Sequence, residues 1–194
     1  PIPEVVMGIN AFTLAARKVN PDFKTRVLWV SSWYDPAKEA DAAKALIDQG
    51  ADVIAQHTDS PAALQTCEQR GLVAFGQSWD MSSFAPKAHL TAIVNRWGRY
   101  YEARIQQLLD GKWESGDTWW GFKEGVLEMA PYNDAVPAEV QAAAEATRMG
   151  IVDDSFNPFT GPINDNAGKQ RLESGVLGDG DLHKMDWYVE GVQS

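Results

Sequence analysis

Asp52-Val53-Ile54-Ala55-Gln56-His57-Thr58-Asp59-Ser60-Pro61 is the stretch whose reading decides the fold. A short apolar run passes straight into polar residues, and Pro61 opens a predicted helix over 61–70 that stops at Gly71. Pro suits the first helical position, where its missing N–H has no helical partner to lose, and Gly suits the position after the last turn, where the chain turns left-handed. Ser60 is the expected cap. The same pattern stands on either side. Upstream, Arg26–Val30 (RVLWV) runs into Ser31-Ser32-Trp33-Tyr34-Asp35-Pro36, and a helix follows over 36–49 with Asp35 as N-cap and Gly50 beyond its end. Downstream, Leu72–Gly76 (LVAFG) runs into Gln77-Ser78-Trp79-Asp80. Strands alternating with helices of about 10–15 residues predict βαβ units and a parallel sheet. Right-handed crossovers then put all three strand-end loops on one rim, where open parallel sheets bind their ligands.

Outward from this block the pattern changes. Pro3 to Val19 reads as a helix, with Val5, Ile9, Phe12 and Ala16 recurring at helical spacing and Asn20-Pro21 ending it. No strand precedes it and the chain opens on Pro1, so the sequence reads as a piece of a longer chain or a processed product. Beyond Asp80, residues 81–87 read as a loop, 88–95 as a strand and 97–110 as a helix closed by Gly111. Residues 118–122 and 126–129 are short strand candidates, and 137–149 is an Ala/Glu-rich helix. The tail from Asn157 is dense in turn residues and ends in an amphipathic stretch over 181–189.

Composition removes several function classes. With 194 residues, 44% hydrophobic and 23% charged, the chain has enough apolar residues for a core. A formal charge of -10 argues against nucleic acid or an anionic membrane as partner, since both require a basic face. The single cysteine, Cys67, cannot form an intrachain disulfide. No apolar run approaches the roughly 20 residues of a membrane span. There is no P-loop, no Gly-x-Gly-x-x-Gly, no hydrolase elbow and no Cys/His spacing for a metal; His57, His89 and His183 are scattered. No cofactor, metal or catalytic residue is therefore expected.

The candidate ligand contacts follow from place. Trp33 and Trp79 stand after the first and third runs, as a stacking pair or as one stacker and one wall for a planar heterocycle. Packing is the competing reading for both, and Trp29, inside its run, reads as core. His57, Thr58 and Asp59 follow the second run; His57 suits a base edge, and Asp59 either accepts from a ligand N–H or helps to cap the next helix. Gln77, Ser78 and Asp80 follow Gly76, whose backbone freedom suits a sharp exit from a strand. Asn95 and Trp97 mark a strand-to-helix junction, where Asn serves as cap or as ligand contact. Lys38 and Glu39, in the first turn of a helix, read as solvated surface. Trp187 is expected to staple the tail down.

Three strings carry a resemblance. Pro1–Phe12, Trp33–Glu39 (WYDPAKE) and Gly50–Pro61, with the ending Met185–Val192 (MDWYVEGV), closely resemble the BMP (basic membrane protein) family, substrate-binding proteins of bacterial ABC transporters related to purine nucleoside receptors. The resemblance implies an α/β type I periplasmic-binding-protein fold, with two lobes clamping ligand between them, of which this chain would be the second half or somewhat more. Residues 1–94 would form the second lobe, 95–125 would return to the first with the helix, and 126–194 would cross back. It also implies a ligand such as a purine nucleobase or nucleoside, ABC permease subunits as partners, a periplasmic or cell-surface location, and a lipid anchor on a preceding segment. Where nucleoside-binding members have Gly-Val-Asp-x-Asp, this chain has Gly76-Gln77-Ser78-Trp79-Asp80; where they have a lysine after the next strand, it has Asn95; where they have Asn-Phe, it has Ser32-Trp33. One acidic and one basic group fewer, with tryptophans gained, point toward a free base such as adenine. An enzyme or a ligand-sensing regulator on the same fold is the alternative, since fold alone does not fix function.

Overall fold

The structure, a computed structural model, describes residues 1–194. Val53–Ala55 form β2 and Val73–Gly76 form β3, paired in parallel with Val53 opposite Val73 and Ala55 opposite Phe75. His89–Asn95 is β4, parallel to β3, and Leu127–Met129 is β5, antiparallel on the far side of β4, so the sheet order is β2-β3-β4-β5. Two helices connect into and within this sheet. In α2, Pro36–Asp48, the Asp35 carboxylate accepts from the Lys38 N–H at 3.1 Å, as expected of an N-cap. In α3, Ala62–Arg70, the chain leaves through Gly71 at φ 69°, a left-handed position open to glycine at little cost. Small apolar residues let these layers approach closely. Ala43, Ile54, Leu64, Cys67, Ala74, Met81, Ala85 and Ala88 form the core between helices and sheet. Burying Leu64 completely is worth about 1.5–3 kcal/mol.

The remaining elements of this part are α4, Trp97–Leu109, and α5, Ala138–Val152. Residues 118–122, read as a strand candidate, form none. The chain turns there instead: Gly125 sits at φ 70° and the Glu124 carboxylate accepts from the Gly121 N–H at 2.8 Å. Together, residues 32–155 make one compact unit.

Residues 1–31 and 156–194 make a second. It holds α1 (Pro3–Val19), β1 (Thr25–Arg26), β6 (Ile163–Asn164), β7 (Gln170–Leu172), the one-turn α6 (Asp179–Leu182) and β8 (Val192–Gln193). The run 26–30 does not form a third strand of the β2-β3 sheet; Thr25 and Arg26 pair in parallel with Val192 and Gln193, and the Val27 N–H continues that ladder to the Gln193 carbonyl at 2.8 Å. The tail competes successfully for this edge because it also supplies packing. Val27 and Trp29 lie against Val6, Phe159, Ile163, Met185 and Val189, and the Trp29 indole N–H donates to the Tyr188 hydroxyl at 3.1 Å. Buried Asn10 ties the same segments, donating to the Trp187 carbonyl at 2.8 Å and accepting from the Val189 N–H at 3.0 Å. Trp187 packs on this core, as expected, and in the amphipathic stretch over 181–189 helix α6 reaches as far as Leu182. The two units divide the chain at other places than the lobe boundaries read from sequence, which concern an intact two-lobed protein.

Candidate functional site

Because β2 and β3 run parallel, residues 56–60 and 77–80 leave the sheet from the same edge. A third loop joins them. The Asp59 N–H donates to the Trp33 carbonyl at 2.9 Å, and the Trp33 ring lies 5.9 Å from the His57 ring at a 51° tilt. Trp33 is half exposed, so one indole surface faces outward beside His57 and the exposed Asp59. Beneath them the loops are stitched. The Gln56 amide donates to the carbonyls of Thr58 and Ser60, each at 2.9 Å. Glu39, only 3% exposed, accepts from the Asp35 N–H at 2.9 Å, the Thr58 hydroxyl at 2.9 Å and the Ser60 hydroxyl at 2.6 Å. Glu39 is thus not solvated surface, as its first-turn position suggested. Ser60 receives the Ala62 N–H at 3.3 Å, as a cap does, but gives its proton to Glu39.

The 77–80 loop is built differently. Ser78 adopts φ 63°, a region L-residues enter at a cost, and its carbonyl accepts from the Asn95 N–H at 2.9 Å. That bond brings Ser78 and Asn95 together. Trp79 packs edge-on against Phe84, with centroids 5.4 Å apart. The Asp80 carboxylate accepts from the Ser82 N–H at 2.9 Å, which holds its pKa below the ordinary value, and lies 4.0 Å from His89 Nε2. His89 is 1% exposed, and Nε2 has no hydrogen-bond partner. Burial depresses its pKa, and the Asp80 charge opposes that in part. Gly76 is explained by this neighbour: a Cβ there would stand 2.8 Å from His89 Nε2, so the position needs glycine for room rather than for a turn.

Trp97 opens α4, where its indole meets Tyr100 at 6.3 Å, and Tyr100 meets Trp120 at 5.6 Å. These rings, with Asp117 and Thr118, line a cavity of about 300 Å³. The structure therefore brings Trp33, His57, Thr58 and Asp59 together, and Ser78 with Asn95, while Trp97 belongs to the aromatic group on α4. Glu39 and His89 are the two polar residues that sequence reading missed. Cys67 is fully buried, its thiol pushed up to about 11 by burial, which leaves it protonated and unreactive. No group of three or more His, Cys, Asp or Glu side chains is placed to hold a metal ion.

A mostly parallel sheet whose strands run into polar loops is an α/β arrangement that hosts many functions, so the class comes from comparison with known proteins. Solved structures agree on the fold. An ABC transporter solute-binding protein from Conexibacter woesei superposes with a TM-score of 0.64 at 17% identity, covering 80% of this chain and 53% of that one. A transcriptional activator of the comK gene from Bacillus halodurans gives 0.64 at 18% identity, covering 79% and 64%. The fold is part of a periplasmic-binding-protein fold, as the resemblance implied. The chain belongs to the PnrA-like family of ABC transporter substrate-binding proteins, whose family model matches residues 1–155. A purine-binding protein of Brucella abortus is 53% identical across 99% of this chain and 55% of its own length. A putative ABC transporter glucose-binding protein of Haloferax volcanii is 35% identical across 100% of this chain and 47% of its own. The chain thus spans about half the length of the curated relatives it matches.

Proposed function

We propose that the protein is the solute-binding component of a bacterial ABC importer and holds a purine nucleobase, or a nucleoside, between two lobes without chemical change. The observation that carries this reading is the half-exposed Trp33 indole set against His57 on the strand-end loops. A flat heterocycle stacked on that face gains about 0.5–1.5 kcal/mol beyond the apolar area it buries. Asp59, beside His57 on the 56–60 loop, and Asp80, on the 77–80 loop, are carboxylates suited to accept from ring N–H and amino groups. Gln77, Ser78 and Asn95 offer polar contacts to a ligand edge, with Trp79 as second wall. The name of the Brucella relative supports a purine. In this reading the permease subunits respond to ligand-bound closure, and the protein works outside the cytoplasm, attached through a lipid on a segment that precedes these residues.

A sugar is the second reading, favoured by the name of the Haloferax relative, because indoles also stack on sugar rings. Titration calorimetry of the full-length protein with adenine, guanine, adenosine and glucose separates the two. Adenine is expected to bind tightest and glucose not measurably. Tight glucose binding without purine binding overturns the proposal.

A further inference from the structure

We infer that Glu39 is a positioning residue: its buried carboxylate locks the 32–35 and 56–60 loops together and so sets the Trp33–His57 wall. The inference rests on the purine reading above for its consequence, and on geometry for its cause. An acidic side chain is almost never fully buried unless its charge is satisfied. Glu39 is 3% exposed, and its donors are three neutral groups, every one of them in a loop. Oε1 takes the backbone N–H that precedes α2, and Oε2 takes two hydroxyls from the loop after β2. A carboxylate has room for about four such bonds, and a neutral amide in its place loses acceptor capacity on one side. The consequence reaches the rim through two residues. Asp59 lies between the anchored Thr58 and Ser60, and its N–H carries the bond to the Trp33 carbonyl. Apolar residues would fill the same space with no charge to bury, so what the carboxylate supplies is a fixed loop geometry.

Two variants test this in the full-length protein. Glu39→Gln keeps the shape and removes an acceptor. Ser60→Ala removes one donor at a side chain that is fully buried and cannot touch ligand. Hydrogen exchange is followed in peptides covering 31–36 and 56–61, with β4 as the control for general unfolding. Both variants are expected to exchange about tenfold faster in the two loops and to leave β4 unchanged, and adenine affinity by calorimetry is expected to fall about tenfold. Loop exchange and affinity both at wild-type levels overturn the inference. So does acceleration in β4 equal to that in the loops, which marks a purely structural role. A wild type without purine affinity overturns the purine reading instead, and loop exchange alone then decides whether Glu39 fixes the loops.

Discussion

At Gly76 the backbone of β3 passes so near His89 that one added carbon would lie 2.8 Å from the imidazole and 3.0 Å from the Ala92 methyl. Gly76→Ala is therefore expected to destabilise the chain by about 1–3 kcal/mol through overpacking, read as a lower urea midpoint with an unchanged slope. His89 itself makes stability depend on pH. Its folded pKa lies below the ordinary 6.5, so the unfolded chain binds more protons as pH falls through that value. Stability is expected to be fully present above pH 6.5 and to decline below it; His89→Gln should flatten the urea midpoint measured from pH 5 to 8 in that window. A flat wild-type profile would remove His89 as the cause. For the ligand, Trp33→Ala should weaken adenine by one to two orders of magnitude, on the order of 1.5–3 kcal/mol, and unchanged affinity ends the stacking role. The loop positions of Trp33 and Asp80 are readable because each follows an apolar run, and their contact with ligand is part of the proposal. Glu39 and His89 are not readable in this way: one looks like a helix surface charge and the other like a strand residue, and both take their meaning from partners in other elements.

The same contrast runs through whole elements. Helices α2 and α3 and the β2–β3 pair were legible because cap, apolar run and terminal glycine are local signals, and Asp35, Gly50 and Gly71 act where the sequence places them. The run 26–30 carries the same apolar signal, yet its strand pairs with Val192 and Gln193, far along the chain, and nothing local names that partner. Helix α4 shows what periodicity does reveal. Trp97, Tyr101, Ile105 and Leu108 fall on one stripe and are each more than half exposed, while Tyr100, Ala103, Arg104 and Gln107 are half-covered. An apolar stripe of this kind marks an association surface. The 194-residue chain is accordingly expected to self-associate with rising concentration, and a charge pair placed on the stripe, Ile105→Lys with Leu108→Glu, should return it toward monomer in sedimentation velocity. A wild-type monomer at high concentration would contradict this.

For the molecule as a whole, in the proposed reading, ligand binding and the stability of the 32–155 unit are one equilibrium, because Trp33, His57, Asp59 and Asp80 all belong to that unit. Cys67 reports on it. The thiol sits at 0% exposure in the core with Ile54, Leu64 and Ala74, on the helix that follows the 56–60 loop. With its pKa pushed up to about 11, it is protonated at pH 8 as well as inaccessible, so a thiol reagent reaches it only when this unit opens. Where reclosing outpaces labelling, the labelling rate follows the open population. A ligand that binds only the folded form at about 100 times its Kd lowers that population by about a hundredfold, or about 2.7 kcal/mol. Adenine is therefore expected to slow Cys67 labelling by about two orders of magnitude, glucose not at all, and Trp33→Ala to lose most of the adenine effect at the same adenine concentration. If calorimetry shows adenine bound while the labelling rate stays at its ligand-free value, the ligand does not engage this unit, and the strand-end loops are not its site.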